Sequence, residues 1–313
     1  MSSSTVRWGV LSNAGISRSL VPGLLAAKDC RLVGIASRSP ERARQAAERW
    51  GCEAYPSYEA LLEDETLDAV YIPLPNHLHA DWTVRALEAG KHVLCEKPLA
   101  LSTEEVGRVA EAARSSGCMV LEAYMYRHAP RWLRAVDLVR QGALGDPRLV
   151  KVVFAFNVPT DLANIRFIPE AGGGIIWDMG CYATNMARGI LGQEPVEVFA
   201  YGEVRAGQPT ETSVSGVMHF PEGRAALFAV SFDYRNPFAQ VEVVGSEGWL
   251  ALPGTGFRRE PYTKLLIHAG GEIDVDNPGT EGRDVPFRRS LRPRGRASLG
   301  RGARRAPAGL GPG

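Results

Sequence analysis

A lysine, an aspartate and a tyrosine stand in this 313-residue chain where each could hold or move a proton. Lys97 sits in Glu96-Lys97-Pro98, directly after the mostly apolar run 91–95. Asp178 and Tyr182 follow the triplet Gly172-Gly173-Gly174 and lie four residues apart, so on a helix they share a face. A free tyrosine titrates near pH ~10, too high for efficient proton transfer at neutral pH. A nearby ammonium stabilises the phenolate and lowers that value. Lys97 beside Tyr182 is therefore a sensible proton donor and acceptor for interconverting a carbonyl and an alcohol. Asp178 would bind a substrate hydroxyl or keep Lys97 charged. Taken singly, each motif has a plainer reading: a charged surface loop for Glu96-Lys97, a structural hydrogen-bonding pair for Asp178 and Tyr182.

Bringing these residues together requires a particular scaffold. The first 125 residues alternate short apolar runs (6–11, 31–36, 69–72, 92–95 and 119–122) with helical start signals. Ser39-Pro40-Glu41 supplies a cap, a first-turn proline and an early acid. Ser102-Thr103-Glu104-Glu105 reads as a capping box. Asn76 is expected to cap a helix over 77–89 that Gly90 ends. Repeated strand–helix units predict a doubly wound parallel sheet, with its ligand crevice at the carboxyl ends of the strands. Lys97, projected past such a strand by Pro98, falls in that crevice. After residue 125 the pattern becomes a helix over 130–141, a helical stretch over 174–191, and strands over 149–158, 196–204, 213–220, 225–234, 241–244 and 264–268. The fold class expected is α/β: an N-terminal Rossmann domain (1–125) and a C-terminal α+β domain (126–284) with an open, mostly antiparallel sheet.

The turn after the first strand, Ser12-Asn13-Ala14-Gly15-Ile16-Ser17, places Ser12, Ala14 and Ser17 in the register of the dinucleotide fingerprint G-x-G-x-x-G. The second strand ends in Ser37-Arg38-Ser39, with no acid to bind an adenosine ribose. A guanidinium with hydroxyls suits a 2′-phosphate, which favours NADP over NAD. The stiff segment Pro73-Leu74-Pro75-Asn76-His77-Leu78-His79 is expected near the nicotinamide half, with Pro73, Leu74, Asn76 and His79 as contacts. Ala14, Gly15, Ile16 and Glu96 complete the expected cofactor set. His77 and His79 lack a second cluster at ligand spacing, so no metal is expected.

Composition is that of a soluble globular chain, 45% hydrophobic and 23% charged. No apolar run is long enough to span a bilayer, and no signal peptide is visible at the start. Five scattered cysteines form no C-x-x-C pair, which fits a cytoplasmic protein. The net charge of +1 conceals an asymmetry. Residues 285–313 carry eight arginines and no acid; without them 28 basic residues face 35 acidic ones, a net of −7. That tail is expected to be disordered, and no nucleic-acid or membrane partner is expected from it.

Asp178-x-x-x-Tyr182 after three glycines, Glu96-Lys97-Pro98 after a strand, and Glu122-Ala123-Tyr124-Met125-Tyr126-Arg127-His128 together resemble the Gfo/Idh/MocA oxidoreductases. The likeness runs over 6–277 and is nearest to their NADP-linked sugar and dihydrodiol dehydrogenases. The resemblance implies hydride transfer between NADP and a sugar or cyclic vicinal diol, with Lys97 as catalytic lysine, Tyr182 as proton-transfer residue and Asp178 as substrate-side acid. It implies a homodimer or higher homo-oligomer built on the open sheet. Arg127, His128, Asn157 and Arg166 are candidate substrate-wall residues. The chain departs from the family after Asp276-Asn277-Pro278, where further helical sequence is expected and an arginine–glycine tail stands instead. A reading-frame change near Thr280 would produce that departure. The competing reading is a non-catalytic dinucleotide-binding protein or redox sensor disabled by its altered C-terminus.

Overall fold

The computed structural model describes residues 5–254 except 160, 162 and 163, together with 262–263, 265–269 and 287–288. The tail 285–313 and the departure near 280 lie almost wholly outside the described residues.

The N-terminal half is a six-stranded parallel sheet. Its strands are β1 (Val6–Leu11), β2 (Cys30–Ala36), β3 (Glu53–Tyr55), β4 (Ala69–Ile72), β5 (His92–Cys95) and β6 (Val120–Glu122). They are ordered β3-β2-β1-β4-β5-β6, the doubly wound order whose reversal beside β1 opens a crevice for a dinucleotide. Helices α1 (Ser17–Ala26), α2 (Pro40–Trp50), α3 (Tyr58–Leu62), α4 (His79–Glu88) and α5 (Thr103–Ser116) supply the crossovers. Two apolar clusters cover the two faces of the sheet, one around Val70, Ile72, Leu87 and Val93, the other around Val10, Ile35 and Tyr71.

Local chemistry sets the helix ends. Ser39 Oγ accepts the Arg42 amide at 3.3 Å to open α2, and Gly51 closes it at φ 67°. At α5 the Ser102 hydroxyl accepts the Glu105 amide at 3.2 Å, but the Glu105 carboxylate reaches the Leu101 amide, one residue before the expected partner. Asn76 does not cap a helix. A 3-10 turn, Asn76–Leu78, intervenes before α4, and the Asn76 amide donates instead to the Gly172 carbonyl at 2.9 Å, across to the other half of the chain.

The C-terminal half carries α6 (Pro130–Arg140), β7 (Pro147–Asn157), α7 (Cys181–Leu191), β8 (Glu197–Glu203), β9 (Ser213–His219), β10 (Ala225–Ser231), β11 (Asp233–Gly245), β12 (Gly248–Pro253), the short β13 (Tyr262–Thr263), β14 (Leu266–Ala269) and β15 (Phe287–Arg288), which pairs with β13. Seven strands form one sheet in the order β14-β12-β11-β7-β10-β9-β8. Every pairing in it is antiparallel except β7 with β10. Helices α6 and α7 share a core with one face, around Trp132, Val152, Met186 and Val243. On the outermost strand, β8, every residue is exposed.

Among the described residues β3, β12, β13 and β15 are additional to the sequence reading, and β11 is longer than expected. β11 starts at Asp233, well before 241, because Pro237 sits within a register break between Asp233 and Phe238 that hides the strand period. β12, bounded by Gly248 and Pro253, pairs with β11 over a stretch to which the sequence reading assigns no element.

Candidate active site

Lys97 follows β5 at the carboxyl edge of the parallel sheet, and the Lys97–Pro98 peptide is cis. Beneath it, Glu96 accepts a 2.6 Å hydrogen bond from the phenol of Tyr71, a fully buried residue of β4. Burial raises the Glu96 pKa, while Tyr71 and Lys97 pull it back.

Asp178 approaches from the other half. The glycine triplet makes that approach possible. Gly172 and Gly174 adopt φ of +76° and +106°, and a Cβ on Gly174 would lie 2.2 Å from the Glu211 carboxylate. The chain then makes a π-type turn, Ile176–Gly180, before α7. Such turns re-aim side chains inside helices, and both Asp178 and Tyr182 face the same cavity.

The charged centre is a bridge of three. Lys97 Nζ donates to Asp178 Oδ1 and to the Asp178 carbonyl, both at 2.7 Å. Arg166 Nε donates to Asp178 Oδ2 at 2.7 Å. The side chains of Lys97 and Asp178 are each only 14% exposed. Burial alone would raise the Asp178 pKa, yet Lys97 and Arg166 outweigh it and hold the carboxyl at about 2. Burial likewise works against the Lys97 ammonium, and Asp178, Cys181 and Glu96 overcome it and raise its pKa.

Tyr182 packs its ring 5.2 Å from Lys97 Nζ, within an aromatic cluster with Tyr124, Tyr126 and Phe154. Its titration corrects the sequence expectation. Burial, then Glu96, Cys181 and Asp178, push the phenol pKa up instead of down. The ammonium expected to lower it is bonded to Asp178. The arrangement therefore holds a neutral phenol beside a fixed ion pair, the form that donates a proton.

These groups line one cavity of ≈ 1210 Å³ that runs from the first β–α turn to the second sheet. Of the expected cofactor contacts, Ser12, Ala14, Gly15, Ile16, Arg38, Pro73, Leu74, Asn76, His79, Glu96 and Lys97 line it. Ser37 is buried in an adjoining pocket of ≈ 330 Å³, with Ser12, Asn13, Arg38, Ser39, Arg42 and Tyr58. Ser12 stands where the fingerprint has its first glycine, and it holds φ 124°. Helix α1 opens at Ser17 with neither a side-chain cap nor an acid in its first turn, and the amides of Ser17, Arg18 and Ser19 donate to the carbonyls of Ala14, Gly15 and Ile16.

Among the expected substrate-wall residues, Arg166 and His128 line the cavity. Arg127 and Asn157 do not. His128 and Met125 lie three apart in a 3-10 turn and share its cavity side, while Arg127 points to solvent. Asn157 ends β7 as an exposed residue, one position beyond the lining stretch Phe154-Ala155-Phe156.

Sequence reasoning missed Arg42, Phe154, Phe156 and Phe238. Arg42 lies four residues after Arg38 in the first turn of α2, a signal that was available. The phenylalanines of β7 show as alternation in 154–156, whereas Phe238 is hidden by the break at Pro237. Among the described residues no group of three or more His, Cys, Asp and Glu is placed to hold a metal ion, and none of the helices is long and apolar enough to cross a membrane.

A Rossmann sheet with a lysine at its carboxyl edge, salt-bridged to an acid from a second open sheet, defines a two-part dinucleotide oxidoreductase. The chain belongs to the Gfo/Idh/MocA oxidoreductases: the profile of the oxidoreductase family with NAD-binding Rossmann fold matches residues 8–124, and that of the GFO/IDH/MocA C-terminal domain matches 132–251. It is 42% identical over 228 residues to D-xylose 1-dehydrogenase (NADP(+)) 2 of Haloferax volcanii, covering 72% of this chain and 69% of that protein. It is 30% identical to trans-1,2-dihydrobenzene-1,2-diol dehydrogenase of Xenopus laevis, covering 88% and 82%. Among solved structures it resembles a 3-ketoreductase from Actinomadura kijaniata in complex with NADP and TDP-benzene, at 30% identity and TM-score 0.78, covering 86% and 82%.

Proposed function

We propose that this oxidoreductase is NADP-dependent and moves a hydride between the nicotinamide and a sugar or cyclic vicinal diol. Residues 1–125 serve the cofactor and 126–284 the substrate. The observation that carries the reading is the Lys97–Asp178–Arg166 bridge, with Tyr182 packed against it inside one cavity that reaches Arg38.

The residues present fit the cofactor. Arg38 and Arg42 are exposed side chains with no ion pair to a described residue, and no carboxylate lines their small pocket. That chemistry suits a 2′-phosphate. The turn Ala14-Gly15-Ile16 at the cavity, followed by the acid-free first turn of α1, suits the pyrophosphate. When bound, the cofactor supplies the hydride acceptor or donor.

The chain supplies the proton. Tyr182, held as a phenol, donates its proton to the carbonyl oxygen in the reductive direction and is left as a phenolate beside Lys97; in the oxidative direction that phenolate is the form that takes the proton from the alcohol. Lys97, kept charged by Asp178, stabilises negative charge on that oxygen. Arg166 holds the outer carboxylate oxygen of Asp178 and lies 41% exposed at the cavity wall, where it can orient a substrate hydroxyl. Phe154, Phe156 and Phe238 offer an apolar wall for a ring.

The uncovered sheet face supports a homodimer. Phe199 and Tyr201 of β8 are 68% and 62% exposed and share the face on which Leu227 of β10 is 41% exposed, an apolar row running in from an edge strand that a second copy would cover. The five free thiols fit a cytoplasmic setting.

The test is a spectrophotometric screen of NADP and NAD against aldoses, inositols and dihydrodiols. NADPH formation with at least one of them, and a preference for NADP, is the expected result. Tight cofactor binding with no turnover across the panel would favour the non-catalytic reading instead.

A further inference from the structure

Both ring nitrogens of His79 face carbonyl oxygens. Nδ1 lies 2.6 Å from the Pro98 oxygen and Nε2 lies 2.7 Å from the Leu74 oxygen, and the residue is 1% exposed. A carbonyl oxygen can only accept. A neutral imidazole carries one N–H, so it can bond one of the two and must set a lone pair against the other; an imidazolium bonds both.

The two carbonyls belong to different walls of the active site. Leu74 lies in the turn after β4 that lines the cavity, and Pro98 follows Lys97. Backbone pairing between these stretches ends with the Glu96 amide on the Ile72 carbonyl at 3.1 Å. Beyond that rung the His79 ring lies between the Leu74 and Pro98 carbonyls.

We propose that His79 is a positioning residue for the cofactor: protonated on both nitrogens, its ring fixes the Leu74 turn against the Lys97–Pro98 segment beyond the end of the sheet ladder. Misplacement of a wall by even a fraction of an ångström weakens a preorganised site. His79 touches neither reacting atom, and acts through Leu74 and Pro98.

The surroundings give the ring a titration. Burial lowers its pKa, and Lys97 and His77 act the same way, while the two carbonyls oppose them. On its own helix Asp81 is paired with Arg108 of α5, and Glu96 of the neighbouring segment is bonded to Tyr71. The second proton therefore leaves as pH rises through a value below the usual histidine range. One carbonyl then loses its donor and the turn loosens.

Two measurements on the full chain test this. Imidazole nitrogen resonances of the wild type, with His79 assigned by its loss in His79→Gln, are recorded between about pH 5 and 8. Dissociation constants for NADPH are taken by fluorescence over the same range for both proteins. The 2′-phosphate of NADPH titrates in this window too, and it does so equally in both series. The expected result is a His79 ring protonated on both nitrogens at the acid end. Wild-type affinity should fall as that proton is lost, while His79→Gln binds about tenfold more weakly at the acid end and shows no such step. A purely structural histidine would lower thermal stability without producing a pH step that the variant lacks. Parallel affinity–pH curves for the two proteins, or a single neutral tautomer throughout, would overturn the proposal. If His79→Gln does not fold, the wild-type nitrogen spectrum, with residues assigned by sequential NMR, decides alone. A wild type that binds no NADPH at any pH would sink the cofactor assignment, an outcome distinct from a flat titration.

Discussion

Lys97 Nζ lies 2.7 Å from Asp178 Oδ1, an ion pair that joins the carboxyl edge of the parallel sheet to the π-type turn of the second half. The pair is almost enclosed, so each member depends on the other to stay charged. Breaking such a pair strands a buried charge.

Asp178→Asn should therefore lower stability by about 3 kcal/mol, since it leaves Lys97 and Arg166 uncompensated. Urea unfolding at neutral pH measures the loss. Lys97→Met with Asp178→Asn together should recover a good part of it, because no charge of that pair is then left unmatched.

The pH dependence of that difference follows from the shifted groups. Asp178 has a depressed pKa, so its contribution is present above its ordinary value of 3.8 and is lost as pH falls through about 2. Lys97 has a raised pKa, so its contribution is present below 10.5 and is lost as pH rises beyond it. The stability gap between wild type and Asp178→Asn should shrink below about pH 4, where the wild type begins to lose its carboxylate, and shrink again on the alkaline side as the unpaired Lys97 of the variant gives up its proton. A gap that did not shrink below about pH 4 would point to a different partner for Lys97.

Arg38→Ala should raise the KM for NADP by about 10- to 100-fold and leave the KM for NAD nearly unchanged, because only the 2′-phosphate loses a charge-assisted partner. Arg42→Ala should act in the same direction. Steady-state kinetics with both cofactors reads the two effects.

Ser12 holds φ 124°, a conformation that glycine adopts freely and other residues resist. Ser12→Gly should be tolerated, with cofactor affinity retained. Ser12→Val should cost about 2 kcal/mol, since a β-branched side chain is strained there. Thermal denaturation of the two variants separates them.

Much of this architecture could be read from the sequence where local chemistry acts alone. The caps at Ser39 and Ser102, the strand before Lys97 and the turn at Gly172-Gly173-Gly174 all come from residues whose effect is felt within a few positions. Asn76 shows the limit. Its position predicts a cap, yet its amide finds Gly172, 96 residues away, and only the tertiary structure brings that carbonyl within reach. Tyr182 shows another. Spacing places it beside Asp178, but its phenol answers to burial and to Glu96, and neither can be counted from the chain. Phe238 reaches the cavity through a register break that no periodicity reveals.

The central claim is that Tyr182 carries the proton beside the Lys97–Asp178 pair. Single-turnover NADPH formation, with whichever sugar or diol proves active, tests it most directly in Tyr182→Phe. The ring and its aromatic neighbours are kept while the hydroxyl is removed. The account predicts a fall in the rate on the order of 10²-fold or more, with the NADP dissociation constant changed by no more than about threefold. A rate equal to that of the wild type would contradict it.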